Sequence, residues 1–119
     1  MIILDTNFLI YLLKYKIAHQ LEELKHELAV PSQVIYELEK ISVKGNMKDR
    51  EAAKLVLTLL DKWHIRILEA EGNADEAIEF LAKKEGAKVA TMDKLLTRKL
   101  KKLGIKIIKI RQKKHFIEY

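Results

Sequence analysis

The chain has 119 residues, 49% of them apolar and 34% charged, with a formal net charge of +6 and no cysteine. That length suits one domain, residues 1–119, and the balance excludes a chain too polar to bury a core. Lys, Glu or Asp recurs too often for the roughly 20 apolar residues of a membrane span, and the amino terminus lacks the basic start and cleavage site of a secretory signal, so a cytoplasmic protein is expected. Met1–Leu4 is a short apolar run that suits a buried strand. Helices are predicted from about Asn7 to Tyr15 and from Ala18 to His26, the second facing Leu21, Leu24 and Leu28 inward. "LAVPS" reads as a second strand ending at Pro31, with Ser32 capping a helix that runs to about Val43. After "KGN", Asp49–Lys62 is amphipathic through Ala52, Leu55, Val56, Leu59, Leu60 and Trp63.

"HIRIL" is a third strand, and Asn73 can cap a helix running to about Lys84. "AKVAT" gives a fourth strand, Asp93–Leu103 a helix, and "IKIIKI" after Gly104 a fifth strand. The tail "RQKKHFIEY" is less regular and offers Phe116 or Tyr119 for packing on the body or on a partner. Short apolar strands alternating with helices predict an α/β fold, a mostly parallel sheet with helices on both faces.

In such a sheet, sites form outside the carboxyl ends of the strands, where strand order reverses. Asp5 follows the first strand directly, and Asp93 stands just beyond "VAT" of the fourth. Each reads either as a helix cap or as a ligand. Glu37 shares helical spacing with Val34, Leu38 and Ile41, so it interrupts the inward stripe of its helix, where an unpaired carboxylate is costly. Asp75 falls at the inward edge of the first turn of the helix that Asn73 caps, a position equally suited to favourable interaction with the helix amino terminus. Four carboxylates so placed repel one another unless cations neutralise them, and oxygen ligands in incomplete coordination suit Mg²⁺ or Mn²⁺ with room for substrate phosphate.

The positive charge is concentrated. Ten Lys or Arg and no acid lie between Lys94 and Lys114, whereas the remainder carries thirteen bases against seventeen acids. Lys94, Arg98, Lys99, Lys101, Lys102, Arg111, Lys113 and Lys114 are therefore candidate contacts for the phosphates of a nucleic acid, with a solvated Lys-rich helix face as the other reading. Aromatics are not interleaved with these bases, which favours backbone electrostatics over base stacking. The four histidines are scattered without metal-ligand spacing, so a histidine metal site is not expected; Trp63 continues an apolar stripe, and the glycines stand singly, so no glycine-rich phosphate loop or dinucleotide fingerprint is present.

The segments "ILDTNFLI", "VPSQVIYELEKI", "ADEAIEFLAKKEGAKVATMD" and "GIKIIKIR", in that order and over nearly the whole chain, resemble the PIN domain, the small nuclease fold of VapC toxins and of several RNA-processing enzymes. The resemblance implies a three-layer α/β/α sandwich around a mostly parallel five-stranded sheet. It also implies an acidic metal site of Asp5, Glu37, Asp75 and Asp93, with supporting roles for Asn7 and Thr91. Many relatives carry a further acid two residues after the position of Asp93, where this chain has Leu95, so at most four acids are available. The implied activity is Mg²⁺- or Mn²⁺-dependent hydrolysis of RNA, as a VapC-type toxin or an RNA-processing nuclease, the tail looking closer to archaeal members of the ribosomal-RNA-processing kind. The alternative is a non-catalytic RNA-binding or scaffolding module. Implied partners are RNA, a second copy of the chain and, for a toxin, an antitoxin.

Overall fold

Alternation within the first strand sets the layers, because successive side chains leave a strand on opposite faces. In the computed structural model, which describes residues 1–119, Ile2 and Leu4 of β1 (Ile2–Leu4) enter one core and Ile3 enters another. The first core lies under α1 (Thr6–Lys14), α2 (Ser32–Lys44) and α3 (Met47–Leu59). Phe8, Leu9 and Leu12 meet Val34, Leu38, Ala53 and Val56 there, over Val30 and Ile108 of the sheet. The second lies under α4 (Ala74–Glu85) and α5 (Lys94–Lys102), where Ile78, Leu81, Leu96 and Leu100 close on Val89 and Ile107. At about 1.5–3 kcal/mol for each large apolar side chain withdrawn from water, these two faces hold the helices on the sheet.

The other strands are β2 (Leu28–Pro31), β3 (Arg66–Leu68), β4 (Lys88–Ala90), β5 (Ile107–Arg111) and β6 (His115–Glu118). They form one sheet in the order β3-β2-β1-β4-β5-β6, parallel except for the antiparallel pair β5–β6. Connections from β1 run outward through β2 to β3, then cross back to β4 on the other side. Strand order therefore reverses between β1 and β4.

The α/β sandwich expected from the sequence is present, with six strands rather than five. The tail read as irregular pairs residue by residue with β5 and seats Phe116 against Phe8, ring centroids 5.4 Å apart. Ala18–Leu24 is a 3₁₀ helix rather than the α-helix expected over 18–26, ending at Lys25 with positive φ. Ser32 does not cap α2: Pro31 occupies the cap position, and the Ser32 hydroxyl turns to Gln33 and Glu69. Leu55, expected to face inward, is 47% exposed, because α3 packs on α1 and α2 through a narrow stripe of Ala52, Ala53 and Val56. Trp63 is buried in the first core as its spacing indicated.

Candidate active site

Each of β1, β2, β3 and β4 leads into a helix at its carboxyl end, and each of those helices brings one carboxylate to that edge. Asp5 leaves β1 and caps α1, its backbone amide bonded to the Ala90 carbonyl of β4 at 2.9 Å. The residue is only 8% exposed and each carboxylate oxygen is hydrogen-bonded: Oδ1 accepts from the Thr6 amide and Oδ2 from the Thr91 hydroxyl, each at 2.8 Å. Burial raises the Asp5 pKa; the Thr91 and Thr6 donors oppose this, while Asp75 and Asp93 push it further up, and the net direction is upward.

Asp93 caps α5, Oδ1 accepting from the Leu96 amide three residues on at 2.8 Å where Asp5 takes the adjacent one, and the residue is exposed. Fully buried Thr91 joins the two acids, since the hydroxyl that donates to Asp5 accepts from the Asp93 amide at 3.1 Å. Glu37, half-buried on α2, is also raised, chiefly by desolvation, with Asp5 and Asp75 adding to it and Thr6 and Lys40 opposing. The buried Thr6 Oγ1 has no partner in good hydrogen-bond geometry, yet lies close enough to favour the ionised form of Glu37. Asp75, in the first turn of α4, is exposed rather than inward-facing, and its pKa is raised by partial desolvation and by Asp93 against the attraction of Lys99.

The four carboxylates are thus electrostatically linked across one edge of the sheet. As their side chains stand, no three acids or histidines are close enough to hold one ion. Asn7 is exposed in the first turn of α1 and makes no bond to Asp5. Sequence reasoning did not single out Thr6, Gln33, Thr97 or Lys109. Gln33 Nε2 donates to the Ala70 and Gly72 carbonyls at 2.6 and 2.9 Å, tying the loop before Asp75 to the helix of Glu37. Of these, only Lys109 left a signal, a basic residue set within the apolar run of β5.

The basic segment divides into two parts. Lys94, Arg98, Lys99, Lys101 and Lys102 are exposed on α5, with Lys99 near Asp75 and Lys101 over the Tyr119 ring at 4.9 Å. Lys101 and Lys102 also stand in the last turn, where cations suit the helix dipole. Arg111 ends β5 and Lys113 and Lys114 belong to the β5–β6 turn, which folds over the first helical layer: Lys113 lies 5.5 Å from the Tyr15 ring centroid, and the Lys114 carbonyl accepts from Gln20.

A sheet that reverses order between two strands ending in linked carboxylates defines the class of fold. The chain belongs to the PIN-like domain family, whose model matches residues 2–113. It is 37% identical to Ribonuclease VapC4 of Methanocaldococcus jannaschii, covering 97% of this chain and 93% of that protein. It is 33% identical to Ribonuclease VapC9 of Archaeoglobus fulgidus, over 98% and 87% respectively. Among solved structures it is similar to the PIN domain endonuclease Utp24, with TM-score 0.74 and 27% identity over 95% of this chain and 86% of that one. A domain of a functionally unknown protein from M. jannaschii shares the fold at TM-score 0.63 and 18% identity, over 99% and 96%.

Proposed function

We propose that this protein is a divalent-metal-dependent endoribonuclease, with Asp5, Glu37, Asp75 and Asp93 as its acidic centre and Mg²⁺ or Mn²⁺ as its cofactor. The observation that carries the proposal is the electrostatic linkage of these four acids along the carboxyl edge of the sheet, with Asp5 and Asp93 flanking the point where strand order reverses and three of the four raised above their ordinary pKa partly by one another. Support also comes from the relatives, two of which bear the name ribonuclease and one endonuclease.

The donor set is all oxygen, which fits a hard cation and no soft one. Bringing three carboxylates onto one ion requires Glu37 and Asp75 to turn toward Asp5, a movement that their partial exposure permits. A bound divalent ion supplies charge neutralisation and Lewis acidity at the scissile phosphate. The chain supplies the rest. The Thr6 amide and Thr91 hydroxyl favour the ionised form of Asp5 and fix its orientation, and Lys99 faces Asp75 from α5. Arg98, Lys94 and the hairpin bases neutralise backbone phosphates on either side.

The test is a short RNA carrying a fluorophore and quencher. Turnover is expected with millimolar Mn²⁺ or Mg²⁺, and none with EDTA or in Asp5→Asn. Cleavage that survives both treatments removes the metal mechanism. Salt-sensitive RNA binding without turnover at any divalent concentration identifies a non-catalytic module instead. The likeness to VapC proteins extends the proposal to a toxin restrained by a protein antitoxin: expression alone arrests growth, and Asp93→Asn relieves the arrest.

A further inference from the structure

An ammonium group stands behind the acidic centre without touching any of its carboxylates. Lys109 projects from β5 and is half-buried, its Nζ donating to the Thr97 hydroxyl at 2.8 Å and to the Thr91 carbonyl at 3.2 Å. These acceptors lie at the two ends of the junction between β4 and α5. The Thr97 hydroxyl in turn donates to the Asp93 carbonyl at 2.6 Å, while Thr91 bonds Asp5 and the Asp93 amide. One side chain from the neighbouring strand therefore closes a bonded loop around the segment that presents Asp93.

A lysine could serve this edge in another way, by reaching out to a phosphate, as exposed lysines do. Lys109 is poorly placed for that. It is half-buried on the face of the sheet covered by α5, and two of its three protons are already committed to neutral oxygens. The same neutral acceptors distinguish it from an ion pair, which would pull Asp93 out of the centre.

We propose that Lys109 is a positioning residue for the acidic centre: through Thr91 and Thr97 it fixes the β4–α5 junction so that Asp93 and the Thr91 hydroxyl are held where Asp5 needs them. This rests on Asp93 belonging to the proposed nuclease centre, whereas the positioning itself can be measured without RNA or metal.

Two measurements on Lys109→Met, which keeps the stem and removes the charge and donors, test the proposal. In the metal-free protein, amide hydrogen exchange at Asp93 and Leu96 is expected to accelerate about 10-fold or more, while Ile3 and Val89 in the sheet keep their protection. In cleavage assays kcat is expected to fall about 10- to 100-fold, the range for loss of an outer partner of a metal ligand, with KM for RNA little changed. Thr97→Val should reproduce the exchange effect, the double variant should add little to either single one, and Lys109→Arg should recover part of kcat. Unchanged exchange at Asp93 and Leu96 overturns the proposal, as does uniform loss of protection across the sheet. A rise in KM with kcat preserved would mark Lys109 as a phosphate contact and overturn it too. If the wild-type protein cleaves no RNA, the exchange result still decides whether Lys109 orders the junction.

Discussion

Asp5 and Asp93 are built to one plan and meet different surroundings. Each follows a parallel strand at the point where strand order reverses, and each caps the helix that begins there. Asp5 comes directly off a central strand and is tied by its amide to β4, so the sheet and α1 enclose it. Asp93 comes off β4 only after Thr91 and Met92, and that extra length carries its side chain out to solvent. The same local motif thus yields one carboxylate that is desolvated before anything binds and another that remains wet. The desolvated one bears an energetic cost that only protonation or a cation relieves.

The largest expected effect breaks the comparison at its buried member. Asp5→Asn keeps an oxygen for the Thr6 amide but removes the charge, and cleavage is expected to fall at least about 100-fold. The metal-free variant should nevertheless melt higher, by roughly 4 °C if about 1 kcal/mol of desolvation and repulsion is removed from a domain of this size. Because the folded-state pKa of Asp5 is raised, the folded protein holds its proton more tightly than the unfolded chain. The stability that this confers is complete below the ordinary value of 3.8 and is lost as pH rises through the raised value. The gap between variant and wild type should therefore vanish in acid and open above about pH 4. Differential scanning calorimetry across that range checks it.

Asp93→Asn sharpens the contrast, since the exposed acid should lose activity with almost no change in melting temperature. Asp93→Ala should add a loss of about 1 kcal/mol, the value of the cap on Leu96, seen in a urea titration. Millimolar Mn²⁺ at pH 7.5 is expected to raise the wild-type melting temperature and to leave Asp5→Asn nearly unmoved. Smallest is Thr91→Val, which removes a donor that favours the ionised form of Asp5. Its acid limb of the pH–rate profile should move to higher pH, with activity falling about 10-fold near neutrality.

Five strands were legible because each is a short apolar run closed by a Gly, Pro or polar break. The sixth was not. The β5–β6 turn takes positive φ at Gln112 and Lys113, positions where such turns ordinarily carry Asn or Gly, so nothing in the sequence announced a hairpin. Asp5, Glu37, Asp75 and Asp93 could be singled out because strand ends and helical spacing are local properties. The link through Lys109 and Thr97 could not, since it depends on β4 lying beside β5 with Ala90 opposite Ile108, a register that no short window contains. Thr6 went unremarked for a similar reason: its hydroxyl matters through a helix far along the chain.

The antiparallel return of β6 also brings residue 119 back beside the start of β5. Tyr119 exchanges backbone hydrogen bonds with Ile107, at the start of β5, and the Met1 carbonyl accepts from Lys88, at the start of β4. Residues 1 and 119 therefore both lie at the amino-terminal edge of the sheet, opposite the edge that carries Asp5. A carrier or tag attached at residue 1 or 119 is expected to leave the carboxyl edge uncovered, so the molecule can be tethered to a surface and still be offered a strand.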